Sequence, residues 1–300
     1  MTQLETSRKI ATAEPASTLP VSVIIPVRNE AKNLPRCLQA VKNVGEVFVI
    51  DSQSSDDTVE IARLHGAKVV QFHYRGGWPK KRQWAMDTLP LAHEWILLLD
   101  ADEVLTPELA DEIRSAIKNP SVNAYSLKLR TQFLGRTLRR GDVGLWKTSL
   151  FRQGKGRYEC RLKDQDASMG DMEVHEHVFV RGRTGKLRCP LIHHNVESLS
   201  HYIRKHDEYS NWESRVLFNQ SENQSDDHEI PPSLTGSQAQ RRRWLKHRLF
   251  AVPGSPILVF LYRYIFRCGF LDGVPGLIYC AFQAVQLFHT KAKIYELRRK

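Results

Sequence analysis

The chain of 300 residues contains only five cysteines, and no two of them form a Cys-x-x-Cys pair. An odd number of widely spaced cysteines is typical of reduced thiols, so the sequence predicts a cytoplasmic setting without a disulfide framework. Residues 1–19 lack an apolar run long enough for a signal peptide, and we expect a flexible tail there. His175 and His177 lack the spacing that zinc sites prefer, and the nearest cysteine is Cys189, which argues against a dedicated zinc centre.

Acidic residues are scarce after residue 240, where only Asp272 and Glu296 stand among many Lys and Arg in a chain of net charge +11. Basic residues that alternate with large apolar runs are typical of a segment that lies on an anionic membrane leaflet. A full span needs about twenty apolar residues, and residues 270–288 approach this but contain one Asp and two Gln. We therefore expect interfacial or re-entrant helices; the alternatives are a tail packed on the rest of the chain and a dimer contact.

An apolar run, Trp95–Leu99, leads directly into Asp100 and Asp102. Consecutive large apolar side chains are typical of a strand buried on both faces, and alternation along it points both carboxylates to one side. Two carboxylates at the end of such a strand repel each other unless a cation lies between them, and open α/β sheets bind ligands at this end. The pattern indicates a divalent metal with a phosphate-bearing ligand; the alternative is a solvated acidic turn.

Strand and helix patterns alternate through the first hundred residues. The strands Val21–Pro26, Val47–Ile50 and Lys68–Gln71 precede Trp95–Leu99, with helical patterns between them. This alternation predicts an α/β fold with a parallel sheet and right-handed crossovers. Acidic residues follow the ends of these strands at Glu30, Asp51, Asp100 and Asp102.

A glycine pair, Gly76 and Gly77, lies shortly before a cluster of cations. In this cluster Lys81 and Arg82 have the charge needed to neutralise a diphosphate. A solvated basic loop is the alternative interpretation.

Taken together, three segments in this order and spacing resemble the signature of the inverting family 2 glycosyltransferases: VSVIIPVRNE (21–30), VFVIDSQSSDDT (47–58) and WILLLDADEVLTPEL (95–109). Later segments are similar to a bacterial branch, the lipooligosaccharide-core β-1,4-glucosyltransferases: MEVHEHVFVRGRTGKL (172–187), SLSHYIRKHDEYS (198–210) and RYIFRCGFLDGVPGLIY (263–279). The resemblance implies a GT-A fold, which is a Rossmann-like, mainly parallel sheet flanked by helices. A C-terminal helical, membrane-associating tail would follow it.

The expected domain organisation follows from the resemblance and the composition. The glycosyltransferase domain is expected over residues 20–218, with a nucleotide-binding half (20–120) and an acceptor half (121–218). A linker or lid is expected over residues 219–240 and the basic, apolar tail over residues 241–300.

The resemblance also implies which residues bind the donor. It places the nucleotide against the end of the first strand, and the residues implied are Pro26, Arg28 and Glu30. Asp51 is implied for the uracil ring and Asp100 for the ribose.

Asp102 is implied as the ligand of Mg²⁺ or Mn²⁺, and such an ion turns a repulsive acidic site into one that attracts a diphosphate. His193 occupies a position where relatives carry a histidine, and GT-A enzymes often use one as a further metal ligand. An ordinary hydrogen-bonded histidine is the alternative.

Transfer by a single displacement needs a base that takes the proton of the acceptor hydroxyl, and a partly buried carboxylate suits this role. The candidates are Asp171, Glu173 and Glu176. Because relatives show the Val-His-Glu triplet found here, the resemblance favours Glu176, with Asp171 second; an exposed acidic turn is the alternative. Trp146 is the aromatic residue that we expect to contact the acceptor, although core packing explains most aromatic residues.

The predicted function is inverting transfer of a sugar from a nucleotide-sugar, with UDP-hexose as the expected donor, to a glycan or lipid-linked acceptor in bacterial cell-surface polysaccharide or lipopolysaccharide biosynthesis. The enzyme would attach peripherally to the inner face of the plasma membrane. A sugar nucleotidyltransferase would carry a glycine-rich loop after the first strand, where Val27–Glu30 has no glycine. A nucleic-acid-binding protein would also be basic, but acids at the strand ends repel phosphates in the absence of a metal, so no nucleic acid is expected as partner.

Overall fold

The computed structural model describes residues 18–162, 165, 171, 176–194, 198–220, 233–236 and 238–299. The strands in these residues are β1 Leu19–Val27, β2 Val44–Asp51, β3 Lys68–Gln71, β4 Trp95–Leu98, β5 Glu103–Val104, β6 Ala124–Phe133, β7 Arg136–Thr137, β8 Trp146–Arg152, β9 Gly156–Tyr158, β10 Val178–Val180 and β11 Thr184–His194. The α-helices are α1 Leu34–Ala40, α2 Thr58–Leu64, α3 Lys81–Thr88, α4 Pro107–Ala116, α5 Leu199–Gln220, α6 Gln238–Ala251, α7 Ser255–Leu261 and α8 Gly273–Leu297. The candidate base Glu173, His175, most of the expected tail (1–17) and most of the expected linker (221–232 and 237) lie outside the described residues.

The main sheet has the strand order β3-β2-β1-β4-β8-β6-β11-β5, and β7 pairs with β6. Strands β3, β2, β1 and β4 are parallel, which confirms the α/β prediction for the first hundred residues. Beyond β4 the sheet is mixed, because β8 pairs antiparallel with both β4 and β6, whereas β11 runs parallel to β6. The expectation of a mainly parallel sheet therefore describes the first half of the domain, where strands and helices alternate.

Both faces of the sheet are covered, which explains the uninterrupted apolar runs in β1 and β4. Val23 and Ile25 of β1 pack in one core cluster with residues of α1, α2 and α4. Ile24, between them, packs on the opposite face with Phe48 and with Ala85 of α3. Each such side chain contributes about 1.5–3 kcal/mol when removed from water, so these strands cannot exchange faces without a large loss of stability.

The C-terminal helices pack on the mixed half of the sheet, around the end of β6. Phe133 at the end of β6 contacts Tyr202 of α5 and Tyr279 of α8, with ring centroids 5.5 Å away in each case. Arg243 of α6 forms a bidentate pair with Glu159, at 2.9 and 2.8 Å, and both side chains are buried. The cations predicted to face a membrane therefore include one, Arg243, that points into the protein.

Candidate functional site

The carboxyl ends of three neighbouring parallel strands meet at one edge of the sheet. Val27 of β1 is in register with Asp51 of β2. The backbone N–H of Leu99 donates to Ile24 O of β1 at 3.1 Å, so Asp100 follows at the same edge. The acids predicted to gather there thus follow adjacent strands, as the metal-site prediction requires.

The loops after β1 and β2 are joined by hydrogen bonds. Asn29 has a positive φ of 55°, and its side-chain Oδ1 accepts from Ser55 N at 2.8 Å. The backbone N–H of Asn29 donates to Ser54 Oγ at 2.8 Å, and Glu30 N donates to Thr58 Oγ1 at 2.8 Å. The two loops therefore form one rigid rim at the edge of the sheet.

The residues predicted to bind the nucleotide differ in their exposure on this rim. Pro26 is buried in β1, whereas Arg28 is exposed. Asp51 is fully buried, and its Oδ2 accepts from Ser54 N at 3.1 Å and Gln71 Nε2 at 2.9 Å. Burial raises the pKa of the Glu30 carboxyl, against a hydrogen bond from Asn33, and the negative charges of Asp102 and Asp100 act in the same direction as burial.

Three consecutive cations at the start of α3 each pair with a different acid. Lys80 Nζ lies 2.8 Å from Glu176 Oε2, and both side chains are completely shielded from solvent. Lys81 Nζ lies 3.2 Å from Asp171 Oδ2, and Arg82 pairs with Asp100. Lys81 and Arg82 were predicted to neutralise a diphosphate; the structure places both near the edge of the sheet but pairs them with protein carboxylates. Their contact with a diphosphate stays a prediction.

Asp100 lies between two cations. Besides Arg82, Lys147 of β8 donates to Asp100 Oδ2 at 2.8 Å and to both oxygens of Glu103 at 2.9 Å. Burial raises the pKa of the Asp100 carboxyl, but Lys147 and Arg82 together lower it by more, so that the pKa lies well below its ordinary value. The Asp100 carboxylate is therefore ionised at neutral pH.

Asp102 is the acid whose surroundings fit a metal ion. Its Oδ2 lies 3.3 Å from His193 Nε2 of β11 and 3.8 Å from Lys205 Nζ of α5. Its Oδ1 is buried and has no hydrogen-bond partner among the described residues. Burial opposes ionisation of Asp102, but His193 and Lys205 bring the pKa down to about 2.

A carboxylate with a free oxygen beside an imidazole nitrogen matches the donors that Mg²⁺ and Mn²⁺ accept. Among the described residues no group of three or more His, Cys, Asp or Glu is arranged to hold a metal. The remaining ligands would have to come from the donor diphosphate and water, which is the usual arrangement for Mg²⁺ bound with phosphates.

The two candidate bases have different surroundings. Glu176 is held from two sides, by Lys80 and by the backbone N–H of Arg161, which donates to Oε1 at 3.1 Å. Asp171 accepts from Ser52 Oγ and, through its backbone oxygen, from Lys81 N at 3.0 Å. Because Ser52 directly follows Asp51, Asp171 lies next to the loop that follows β2.

Trp146 lies at the start of β8, half-buried, where α6 meets the acceptor half. Its backbone N–H donates to Gln238 Oε1 of α6 at 3.1 Å. Lys186 Nζ lies 5.1 Å from the centre of its ring. The position next to Lys147 is compatible with an acceptor contact, which stays a prediction.

Sequence reasoning missed several charged residues of the site. Glu103 stands one residue after the Asp-x-Asp pair, and Lys147 directly follows Trp146, but the sequence gives no sign that they would pair. Lys205 belongs to the segment 198–210 that resembles known relatives, and Lys80 begins the cation cluster. The sequence shows each of these residues, but the partner that each one contacts lies far away in the sequence.

One helical stretch in the described part of the chain, Gly269–Leu297, is long and apolar enough to cross a membrane by length and composition, and less than a third of its most apolar part is buried inside the protein. A single such helix is weak evidence for a span.

Comparison with known proteins identifies the family of this domain. The sequence model described as glycosyl transferase family 2 matches residues 22–179, which is more than half of the chain. The lipopolysaccharide core biosynthesis glycosyltransferase LpsC of Rhizobium meliloti is 25% identical over 290 residues, which cover 93% of both chains. An uncharacterized glycosyltransferase of Rickettsia prowazekii is 25% identical over 93% of this chain and 88% of its own length.

Another uncharacterized glycosyltransferase, from Rickettsia felis, is 40% identical over 113 residues; the match spans 36% of this chain and only 39% of that relative. Among solved structures, a mannosyltransferase of Pyrobaculum calidifontis in complex with GDP-Man and Mn²⁺ superposes with a TM-score of 0.51 at 14% identity, covering 94% of this chain and 88% of the other. The family match and this structural likeness confirm the resemblance and the expected GT-A fold.

Proposed function

Because the chain belongs to glycosyl transferase family 2, we propose that it transfers a sugar from a nucleotide-sugar, UDP-hexose, to a glycan or lipid-linked acceptor with inversion at the anomeric carbon. The observation that carries the proposal is Asp102, whose Oδ1 is buried and unpartnered beside His193 at the carboxyl edge of the parallel strands. Such an oxygen is costly to leave without a partner, and a cation brought with the donor would satisfy it.

In this proposal the rim formed by the loops after β1 and β2 receives the nucleotide. Asp51 would meet the base, and Asp100, kept anionic by Lys147 and Arg82, would accept hydrogen bonds from the ribose hydroxyls. Asp102 and His193 would hold Mg²⁺ or Mn²⁺, which supplies neutralisation of the diphosphate when bound. Lys205, 3.8 Å from Asp102, would add positive charge on the same side.

Glu176 would remove the proton from the acceptor hydroxyl as that oxygen attacks the anomeric carbon, while the bond from this carbon to the diphosphate breaks and UDP leaves. Lys80 and the N–H of Arg161 fix the orientation of its carboxylate. Asp171 lies beside Ser52 on the nucleotide side, which supports a role in holding Lys81 rather than in proton transfer.

The biological role that we propose is assembly of a cell-surface polysaccharide, in particular a lipopolysaccharide core. The likeness to the Rhizobium meliloti core glycosyltransferase over 93% of both chains supports it. We also propose that the enzyme attaches peripherally to the inner face of the plasma membrane through its C-terminal helices, which would bring the site to a lipid-linked acceptor. The apolar stretch Gly269–Leu297 supports the attachment.

The test is a thermal-shift screen with UDP-, GDP- and dTDP-sugars, with and without Mn²⁺. We expect stabilisation by one UDP-sugar that needs the metal, because binding to the folded state raises the melting temperature. Asp102→Asn should abolish the metal-dependent part and leave the melting temperature of the free protein within a few degrees. Release of pyrophosphate from a nucleoside triphosphate, with no transfer of sugar, would refute the proposal in favour of a nucleotidyltransferase.

A further inference from the structure

The outer face of α8 carries a stripe of exposed apolar side chains. Its exposed apolar side chains recur at helical spacing along the whole helix, at Val274, Leu277, Val285, Phe288 and Tyr295. Val274 is 67% exposed and Phe288 is 59% exposed. The opposite face, with Tyr279 and Cys280, is buried against the protein.

The segment before α8 adds a second set of exposed apolar side chains next to this stripe. α7 and the π-helical turn Tyr262–Phe266 that continues it pack against α8, and Lys291 Nζ of α8 donates to Val252 O, just before α7, at 2.7 Å. Their exposed apolar side chains are Ile257, Leu258, Leu261, Tyr262, Ile265 and Phe266. We call this set, together with the stripe on α8, the apolar layer. An exposed apolar surface of this extent is typical of an interaction site rather than of free solvent-facing surface.

Polar bonds along the inner face of α8 argue against a span. Gln286 Oε1 lies 3.3 Å from His206 Nδ1 of α5, and Thr290 Oγ1 donates to Glu213 Oε2 at 3.2 Å. Lys293 Nζ donates to Asp207 Oδ1 at 2.6 Å. To cross a bilayer, α8 would have to break these bonds or carry the charged residues of α5 into the hydrocarbon, and both are costly.

Arginines from the glycosyltransferase domain border one end of the apolar layer. The carboxylate of Asp272, at the start of α8, accepts the backbone N–H groups of Arg139 and Arg140 at 2.9 and 2.8 Å. Arg136 Nη2 donates to Leu271 O at 3.3 Å, so that three exposed arginines stand beside the exposed Leu271. We call them the arginine rim. Exposed Arg298 and Arg299 lie just beyond the other end of α8.

We propose that the apolar layer lies flat in the interface of an anionic bilayer, with the arginine rim on its phosphate headgroups. This inference rests on the membrane attachment within the proposed function and assigns the surface and the lipid class. Apolar side chains at the acyl boundary beside basic residues are the arrangement of an interfacial helix. A second copy of the chain fits less well, because cations at both ends of α8 would face like charges across a two-fold interface.

The experiment is flotation of the full chain with vesicles of phosphatidylcholine alone or with one third phosphatidylglycerol. We expect binding to the anionic vesicles, and at least a tenfold drop in the bound fraction for the variant Ile265→Asp/Phe288→Asp. Arg139→Glu/Arg140→Glu should remove the preference for anionic lipid. Leu64→Asp, at a residue 79% exposed on α2 outside the layer, is the matched control and should bind normally.

The depth of tryptophan residues placed in α8 distinguishes a helix that lies in the bilayer interface from one that spans the bilayer. Val274→Trp and Phe288→Trp should be quenched equally and shallowly by brominated lipids, whereas a span would place them at different depths. Metal-dependent thermal shift by the nucleotide-sugar, measured without vesicles, should be the same in all these variants as in the unmodified protein. Absence of that response in the unmodified protein would refute the donor proposal and leave this inference standing. Unaltered flotation of Ile265→Asp/Phe288→Asp, or a dimer in ultracentrifugation that this variant dissociates without any vesicle binding, would overturn the inference.

Discussion

Replacing Glu176 by Gln tests both the chemistry and the buried pair that holds the proposed base. The variant keeps the shape of the side chain and an oxygen that can accept from Lys80, but it cannot take a proton. General-base catalysis contributes roughly 10²–10⁴-fold, so the transfer rate should fall by that factor, whereas UDP binding should be unaffected. The measurement is sugar transfer at saturating donor, with UDP affinity from calorimetry.

The structure adds a stability effect that must be separated from the catalytic one. Lys80 Nζ lies 2.8 Å from Glu176, and both side chains are fully buried. Removing one partner of such a pair costs about 3–5 kcal/mol. Because Gln keeps an acceptor oxygen, we expect the lower end, about 3 kcal/mol, which lowers the melting temperature by roughly 6–12 °C.

The double variant Lys80→Met/Glu176→Gln separates the two effects. It removes the buried ammonium together with its partner, so the melting temperature should recover part of the loss, while transfer stays as slow as in Glu176→Gln. Asp171→Asn is the rival variant, since it also disrupts a buried pair, with Lys81. Near-normal transfer by Glu176→Gln refutes the assignment, and loss of transfer only in Asp171→Asn assigns the base to Asp171.

Two further predictions concern Lys147, beside the site, and His206 of α5. Lys147→Met leaves Asp100 and Glu103 without the ammonium that bridges them at 2.8–2.9 Å. We therefore expect donor binding, measured by calorimetry, to weaken at least tenfold. Lys155→Met, at an exposed residue, is the control. Burial lowers the pKa of His206 from its ordinary 6.5 to about 4, against a hydrogen bond with Gln286 that raises it and with Lys205 acting alongside burial. Because the unfolded chain binds this proton at a higher pH than the folded chain, the free energy of unfolding is at its full value above pH 6.5 and decreases as the pH falls toward 4, by about 3 kcal/mol at most. His206→Gln should make the melting temperature less dependent on pH over that range, and an unchanged slope would contradict the argument.

The sequence predicted the parts of the fold that depend on local pattern. Short apolar runs located β1 to β4, and the alternation of strands with helices placed Asp51 and Asp100 at one edge. The mixed half of the sheet was not predictable in this way, because β8 pairs antiparallel with β4 and no alternation of strand and helix in the sequence marks that pairing. The same limit applies to Lys147, whose role depends on that pairing.

The C-terminal segment shows why composition alone does not assign a charged residue to a surface. Arg243 belongs to a run of three arginines that the sequence assigned to a membrane-facing tail, yet its guanidinium is buried on Glu159. Glu159 Oε2 in turn accepts from the backbone N–H of His177 at 3.1 Å, next to the proposed base. The expected boundary at residue 241 stays a prediction, although these contacts link α6 to Glu176. A cut near residue 250 would remove α8, and with it the packing of Tyr279 against Tyr202 and Phe133. Such a cut would therefore disturb the fold as well as the proposed membrane contact. A truncated protein that leaves the membrane is therefore ambiguous, and surface substitutions such as Ile265→Asp are needed to separate membrane binding from folding.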